Sequence, residues 1–193
     1  MNFKDLIRKN RSYRRFDASA SISEDVLIGL IKLARITPSS SNRQPLKYVL
    51  SCSREWNAKI FECLAWAGSL ADWPGPKESE RPTGYIVILS DTQISEPKDT
   101  DVGIVAQTIL LGAVDAGLGG CMLGSVKRNE LAQILGLPEH LHISLVVALG
   151  KPVEKVTLVD AEPGGPIKYY RDEAQNHYVP KRKLDELITK VYS

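Results

Sequence analysis

The chain has few of the residues that usually carry protein chemistry. It holds 3 cysteines (Cys52, Cys63, Cys121) and 3 histidines (His140, His142, His177) among 193 residues. An odd cysteine count with no Cys-x-x-Cys spacing supports neither a disulfide framework nor a zinc site, and suits a reducing cytoplasm. No third histidine or cysteine lies near His140 and His142 in sequence. No G-x-x-x-x-G-K-[ST] phosphate loop is present, and Ser39, Ser40 and Ser41 lack the G-x-S-x-G setting of a hydrolase nucleophile. The net charge of +2 gives no field to draw the chain to nucleic acid or to an anionic membrane. No charge-free apolar run reaches the length of a membrane helix, and the first 16 residues, MNFKDLIRKNRSYRRF, lack the apolar core of a signal peptide. What remains is a globular protein without a nucleophile, metal or acid–base pair of its own. Its chemistry is expected to come from a bound cofactor.

Hydrophobic residues make up 43% of the chain, enough for a sizeable core in one domain over residues 1–193. Phe3, Leu6 and Ile7 recur at helical spacing, so the chain opens on a short amphipathic helix ending near Asn10. A basic stretch follows, Asn10-Arg11-Ser12-Tyr13-Arg14-Arg15-Phe16-Asp17. Guanidinium groups grip phosphate or carboxylate in bidentate fashion, and a neighbouring hydroxyl with local N–H groups completes an anion cradle. By itself this pattern also describes a solvated basic turn.

Ser23 caps a second helix whose buried face is Val26, Leu27, Leu30, Ile31 and Ala34, ending at Thr37-Pro38. Pro38 to Pro45 is a polar loop. Strands are expected at Lys47–Ser51, Tyr85–Ser90, Cys121–Leu123 and Ile143–Leu149, and helices at Asn57–Leu70 and Val126–Leu135. Asp72–Thr83, rich in proline and charge, reads as a mobile surface loop. Trp73 there is either a loop anchor or a lid over a planar ligand, whereas Trp66 reads as core. Val102–Ala116 is apolar enough to be a helix buried nearly all round, central or in a dimer interface. The glycines from Gly117 to Gly124 follow a helix rather than a strand and lack the sixth-position glycine of a dinucleotide fingerprint, so they read as a helix cap running into a strand. Asp160–Val179 has little periodicity and reads as a surface wrap. Leu184–Val191 reads as a short terminal helix or strand. Interleaved helices and buried strands give an α/β or α+β class.

Arg11-Ser12-Tyr13-Arg14-Arg15-Phe16 and Pro38-Ser39-Ser40-Ser41-Asn42-Arg43-Gln44-Pro45 resemble the two motifs of the nitroreductase-like FMN flavoproteins, R-S-x-R-x-F and P-S-x-x-N-x-Q-P. Asp101–Gln107 through Gly119 resembles that family's central helix and glycine turn, Gly150-Lys151-Pro152 its G-x-P turn, and His177–Arg182 its basic C-terminal element. The resemblance covers essentially the whole chain. It implies an α+β nitroreductase-like fold, with a central mostly antiparallel sheet flanked by helices, in an intertwined homodimer that holds FMN at its interface.

Carried over position by position, the resemblance assigns Arg11 and Ser12 to the FMN phosphate or ribityl chain and Arg14 to the pyrimidine edge. Tyr13 lies within the same cofactor-binding motif. Pro38, Ser39, Ser40 and Asn42 match the loop that reaches the flavin from the partner, and Leu123 and Gly124 match the segment against the isoalloxazine. Lys181 and Arg182 match further phosphate ligands, and Arg15 stays unassigned as a surface charge. The implied activity is NAD(P)H-dependent reduction of a small-molecule acceptor, nitroaromatic, quinone or related, by a ping-pong cycle. The flavin carries the chemistry, so no catalytic side chain and no metal is expected. A reductive dehalogenase of the same fold and a non-catalytic FMN-binding regulator stand as alternatives. Leu46 replaces the tryptophan usual after Q-P, and the short segment before the central helix leaves the substrate open.

Overall fold

The computed structural model describes residues 1–70 and 72–193. They fall into two units, Met1–Trp66 with Gly75–Val153, and Ala67–Pro74 with Glu154–Ser193. The first unit carries helices α1 (Phe3–Lys9), α2 (Glu24–Arg35), α3 (Arg54–Glu62), α4 (Asp99–Asp115) and α5 (Arg128–Ile134). Its strands are β1 (Leu46–Ser51), β2 (Gly84–Asp91), β3 (Gly119–Leu123) and β4 (Leu141–Gly150). They form one sheet in the order β1-β2-β4-β3 with every neighbouring pair antiparallel. This is the expected α+β arrangement. Among the described residues no helix is long and apolar enough to cross a membrane.

Both faces of the sheet are covered, which is why β2 and β4 read as unbroken apolar runs rather than alternating ones. Ile86, Ile88, Val147 and Leu149 face α2 and α4, where Leu27, Leu30 and Ala34 meet Val105, Ala106, Ile109 and Ala113. The alternate residues Tyr85, Val87, Leu89, Val146 and Ala148 are buried as well. Phe16 is completely buried, and its ring lies so close to Gly150 that a Cβ there would come within 2.7 Å of it. Fully burying an aromatic side chain is worth roughly 2–3 kcal/mol, so Phe16 anchors the end of the basic stretch to the core.

Several expectations are corrected. The third helix begins at Arg54, because the Ser53 hydroxyl accepts from Trp56 N, and it stops at Glu62 rather than reaching Leu70. It stops there because Leu64 leaves the helix to bridge Val126. The segment read as a mobile loop is tied down in its second half. Glu78–Glu80 form a 3-10 turn whose carbonyls accept from Phe16 N and Ala18 N at 3.0 and 3.3 Å. Within the single chain helix α4 leaves Gly103, Ile104 and Gln107 exposed, so of the two expected settings, central or in a dimer interface, the first is not met by this chain alone. Helix α1 packs against α4 yet buries none of its own side chains.

In the second unit the stretch expected to wrap without structure is a small sheet. Strands β5 (Val156–Asp160), β6 (Tyr170–Arg171) and β7 (His177–Lys181) order as β5-β7-β6, with β5 parallel to β7. A short helix α6 (Leu184–Leu187) follows. Charge rather than an apolar core marks this unit. The buried Glu154 carboxylate accepts from Arg171 Nη2 at 2.9 Å and lies 3.6 Å from Nδ1 of the fully buried His177. The Arg171 guanidinium also stacks over the Trp73 ring at 4.4 Å, a contact within this unit.

Candidate functional site

The basic stretch is fixed against the edge strand β3. Ser12 makes a parallel bridge to Gly120, and Tyr13 N donates to Gly120 O at 3.0 Å. At Gly120 a side chain would overlap the Ala148 carbonyl, so only glycine lets the strand lie this close. Tyr13 is a staple: its ring covers Gly119 and its hydroxyl donates to Lys9 O at 2.9 Å. Phe16 bridges Pro152 and Asp17 N donates to Lys151 O at 2.8 Å, so the Gly150–Pro152 turn holds the far end.

Between these anchors the polar side chains are presented differently. Arg11 Nη2 donates to Ile7 O at 2.9 Å, while its buried Nε has no hydrogen-bond partner among the described residues. Ser12 is exposed. Arg14 Nη1 donates to Ser12 O at 3.3 Å. Arg15, left unassigned by the sequence, grips Glu80 in a bidentate pair at 3.0 and 2.6 Å. Its ion-pair partner lies far along the chain, which is why local sequence could not show it.

Strand β3 leads to the other expected cofactor residues. Leu123 is buried at its end and Gly124 is exposed. Gly124 does not adopt left-handed backbone, and a Cβ there would meet nothing within 4 Å. Neither conformation nor packing inside this chain therefore asks for glycine at 124. Ser12, beside Gly120, and Gly124 are about 13 Å apart along the strand, at roughly 3.3 Å per residue.

The Pro38–Pro45 loop is at the opposite end of α4. Ser40–Asn42 form a 3-10 turn, and Ser41, Asn42 and Gln44 have positive φ values of 51, 53 and 52°. The loop is bolted to Asp101, in the first turn of α4. Ser39 Oγ and Ser40 Oγ donate to its carboxylate at 2.8 and 2.7 Å, and Ser40 N donates to both oxygens at 3.0 and 3.1 Å. Burial works against charge on Asp101, but the Ser40 and Ser39 hydrogen bonds outweigh it and hold the carboxyl below its ordinary value. Sequence reading missed Asp101. A cavity of about 290 Å³ beside the loop is lined by Pro38, Ser39, Gln44, Tyr48 and Asp101, among others.

The expected residues thus form separate groups. Arg11, Ser12, Tyr13, Arg14, Leu123 and Gly124 come together along β3. Pro38, Ser39, Ser40 and Asn42 gather at the N-terminus of α4. Between Asp101 and Asp115 that helix rises about 21 Å. Lys181, at the end of β7, and Arg182 belong to the second unit and are exposed. The donor set fits FMN: an arginine with a buried unpartnered N–H suits a phosphate, and an open glycine face at the end of β3 suits a flat ring.

Comparison with known proteins shows the family and the fold. The model of the nitroreductase family matches residues 7–151. The chain is 30% identical over 169 residues to the NADPH-flavin oxidoreductase of Vibrio harveyi, an alignment spanning 78% of this chain and 66% of that relative. Among solved structures, a nitroreductase family protein from Clostridium novyi NT is 25% identical with a TM-score of 0.65, over 79% of this chain and 86% of its own. An FMN-dependent nitroreductase from Clostridium difficile R20291 shares the fold at 20% identity and a TM-score of 0.63, over 78% of this chain and 87% of its own.

Proposed function

Since this chain belongs to the nitroreductase family, we propose that it is an FMN-dependent oxidoreductase that passes electrons from NAD(P)H to a nitroaromatic, quinone or related small-molecule acceptor. The observation that carries the reading is the wall along β3, with a basic motif at one end and an open glycine at the other. An elongated, flat, anionic molecule such as FMN suits that wall. Bound FMN would supply the redox chemistry by accepting a hydride and releasing electrons to the acceptor.

The chain's own residues bind and orient. Arg11 and Ser12 hold the phosphate or ribityl end, and Tyr13 keeps that motif on β3. Arg14 sets a positive charge near the pyrimidine edge, which favours negative charge on the ring by plain Coulombic attraction. Leu123 and Gly124 give the ring a backbone surface to lie on. Donor and acceptor would take turns at the same exposed face, a ping-pong cycle. Lys181 and Arg182 enter this reading as phosphate ligands on the sequence resemblance alone. A cytoplasmic location suits the three free cysteines, of which Cys52 is exposed.

A second copy of the chain completes the site. The loop carrying Pro38, Ser39, Ser40 and Asn42 stands at the opposite end of α4 from the Arg11–Ser12 contact with β3, so the partner would supply it. The apolar side chains left open on α1 and α4, Phe3 at 70% and Ile104 at 39% exposure, give that partner a surface to cover.

The test is direct. Purified protein should be yellow and dimeric, and anaerobic stopped-flow mixing with NADH or NADPH should bleach the flavin, with recovery on adding menadione or a nitroaromatic. Arg11→Ala and Arg182→Ala should each weaken FMN retention. Colourless protein that takes up no FMN refutes the reading, and a flavin-loaded monomer refutes the shared site. Bound FMN that no nicotinamide reduces would make the chain a flavin-binding regulator instead.

A further inference from the structure

On the reading of this chain as an FMN enzyme, we propose that Asp101 is the positioning residue of the flavin loop, and that Ser39 and Ser40 serve the site through Asp101 rather than by donating to the cofactor. The count of protons leads there. A serine hydroxyl has one proton to give. Ser39 gives its proton to Asp101 Oδ2 at 2.8 Å and Ser40 gives its own to Oδ1 at 2.7 Å. Ser39 Oγ also accepts from Gln44 N at 3.0 Å, so that hydroxyl is occupied in both senses. Neither serine has a hydroxyl proton left for a flavin oxygen or ring nitrogen. Asn42 is exposed, and its Oδ1 accepts from Gln44 Nε2 at 3.1 Å, so its amide N–H groups, with the exposed side chains of Ser41 and Arg43, are the donors the loop can offer.

The loop needs such a bolt. Ser41, Asn42 and Gln44 all have left-handed backbone, which non-glycine residues adopt at a cost and keep only where the surroundings enforce it. Asp101 is 2% exposed, so its charge is stabilised by protein donors rather than by water. Those donors are Ser39 Oγ, Ser40 Oγ and Ser40 N, all in the loop. Neighbouring residues of α4 (Val102, Val105 and Ala106) lie in the core, so the carboxylate is a fixed point and the loop is the part that moves if it is lost. Serines in a P-S-S-S-N pattern invite a reading as direct ligands. The geometry makes them the near half of a clamp whose far half lies about sixty residues on.

Two measurements on Asp101→Asn, Ser40→Ala and the double variant test this. The first is hydrogen–deuterium exchange of the peptide spanning 39–44 in flavin-free protein. Exchange should accelerate at least tenfold in each variant, since the clamp acts without cofactor. The second is the FMN dissociation constant by fluorescence quenching. It should rise at least tenfold in each single variant, and the double variant should be no weaker than the weaker single. If Asp101→Asn fails to fold, Ser40→Ala decides alone: weaker FMN binding with faster loop exchange supports the clamp. Weaker FMN binding with unchanged exchange overturns it, because the hydroxyl then acts on the flavin directly. Additive losses in the double variant overturn it as well. Wild-type protein that binds no FMN refutes the functional reading, while loop exchange still decides whether Asp101 holds the loop.

Discussion

Breaking the Arg15–Glu80 pair offers a measurable test of how the basic stretch is held. Arg15 Nε and Nη2 donate to Glu80 Oε2 and Oε1 at 3.0 and 2.6 Å, and the side chains are 23% and 13% exposed. A fully exposed pair contributes about 0.2–1 kcal/mol, whereas removing one partner of a fully buried pair costs about 3–5 kcal/mol. This pair is mostly buried with good bidentate geometry, so either Arg15→Ala or Glu80→Ala should cost about 2 kcal/mol. For a chain of this size that is roughly 4–8 °C in Tm. Urea denaturation of both single variants and the double variant yields the coupling energy, expected near 1.5 kcal/mol. Burial shields the pair from counter-ions, so more than half of that coupling should survive in 1 M NaCl. A coupling below about 0.3 kcal/mol, or one abolished by salt, would show that Arg15 is the surface charge its sequence setting suggests.

Other substitutions separate folding from cofactor binding. Gly124→Val should leave stability within about 0.5 kcal/mol, since its Cβ meets open space, yet weaken FMN binding by about tenfold or more. Equal FMN affinity, by fluorescence titration, would remove Gly124 from the site. Gly120→Ala should cost about 2–3 kcal/mol in a urea titration, because the new methyl would overlap the Ala148 carbonyl and come within 2.9 Å of Leu110 and Leu149 side chains. Asp101 makes stability acid-sensitive in a defined direction. Its folded-state carboxyl lies below the ordinary 3.8, so its contribution is complete above that pH and is lost as pH falls through the folded value. Wild type should therefore exceed Asp101→Asn in urea midpoint at pH 7, with the gap closing below pH 3.8. A gap that stays constant into acid would count against a charged clamp.

Legibility in the sequence followed burial. Strands β2 and β4 were plain because sheet residues covered on both sides must be apolar without interruption. Helix α2 was plain because Ser23 and its 3.6-residue periodicity agree. The small sheet of the second unit was not, since β6 has two residues and β5 meets β7 in parallel from about twenty positions away. The start of α3 is set by the Ser53 hydroxyl, which accepts from Trp56 N, and its end by the Leu64–Val126 bridge, a contact 62 positions apart in the chain. In the candidate site the two motifs were recognisable from their residue types. What those residues touch was not, because Arg15 and Ser40 find their partners 65 and 61 positions away.

The Ser12–Gly120 bridge has a consequence apart from the cofactor. In the order β1-β2-β4-β3, strand β3 closes one side of the sheet, and its outer backbone groups are a template on which another chain could add a strand. The bridge and the Tyr13–Gly120 hydrogen bond occupy the first part of that edge. Residues 11–14 are therefore also a guard against strand addition at the β3 edge. Shortening the chain past Tyr13 would lose more than an anion-binding motif: it would uncover a sheet edge, and the product should aggregate even in excess FMN.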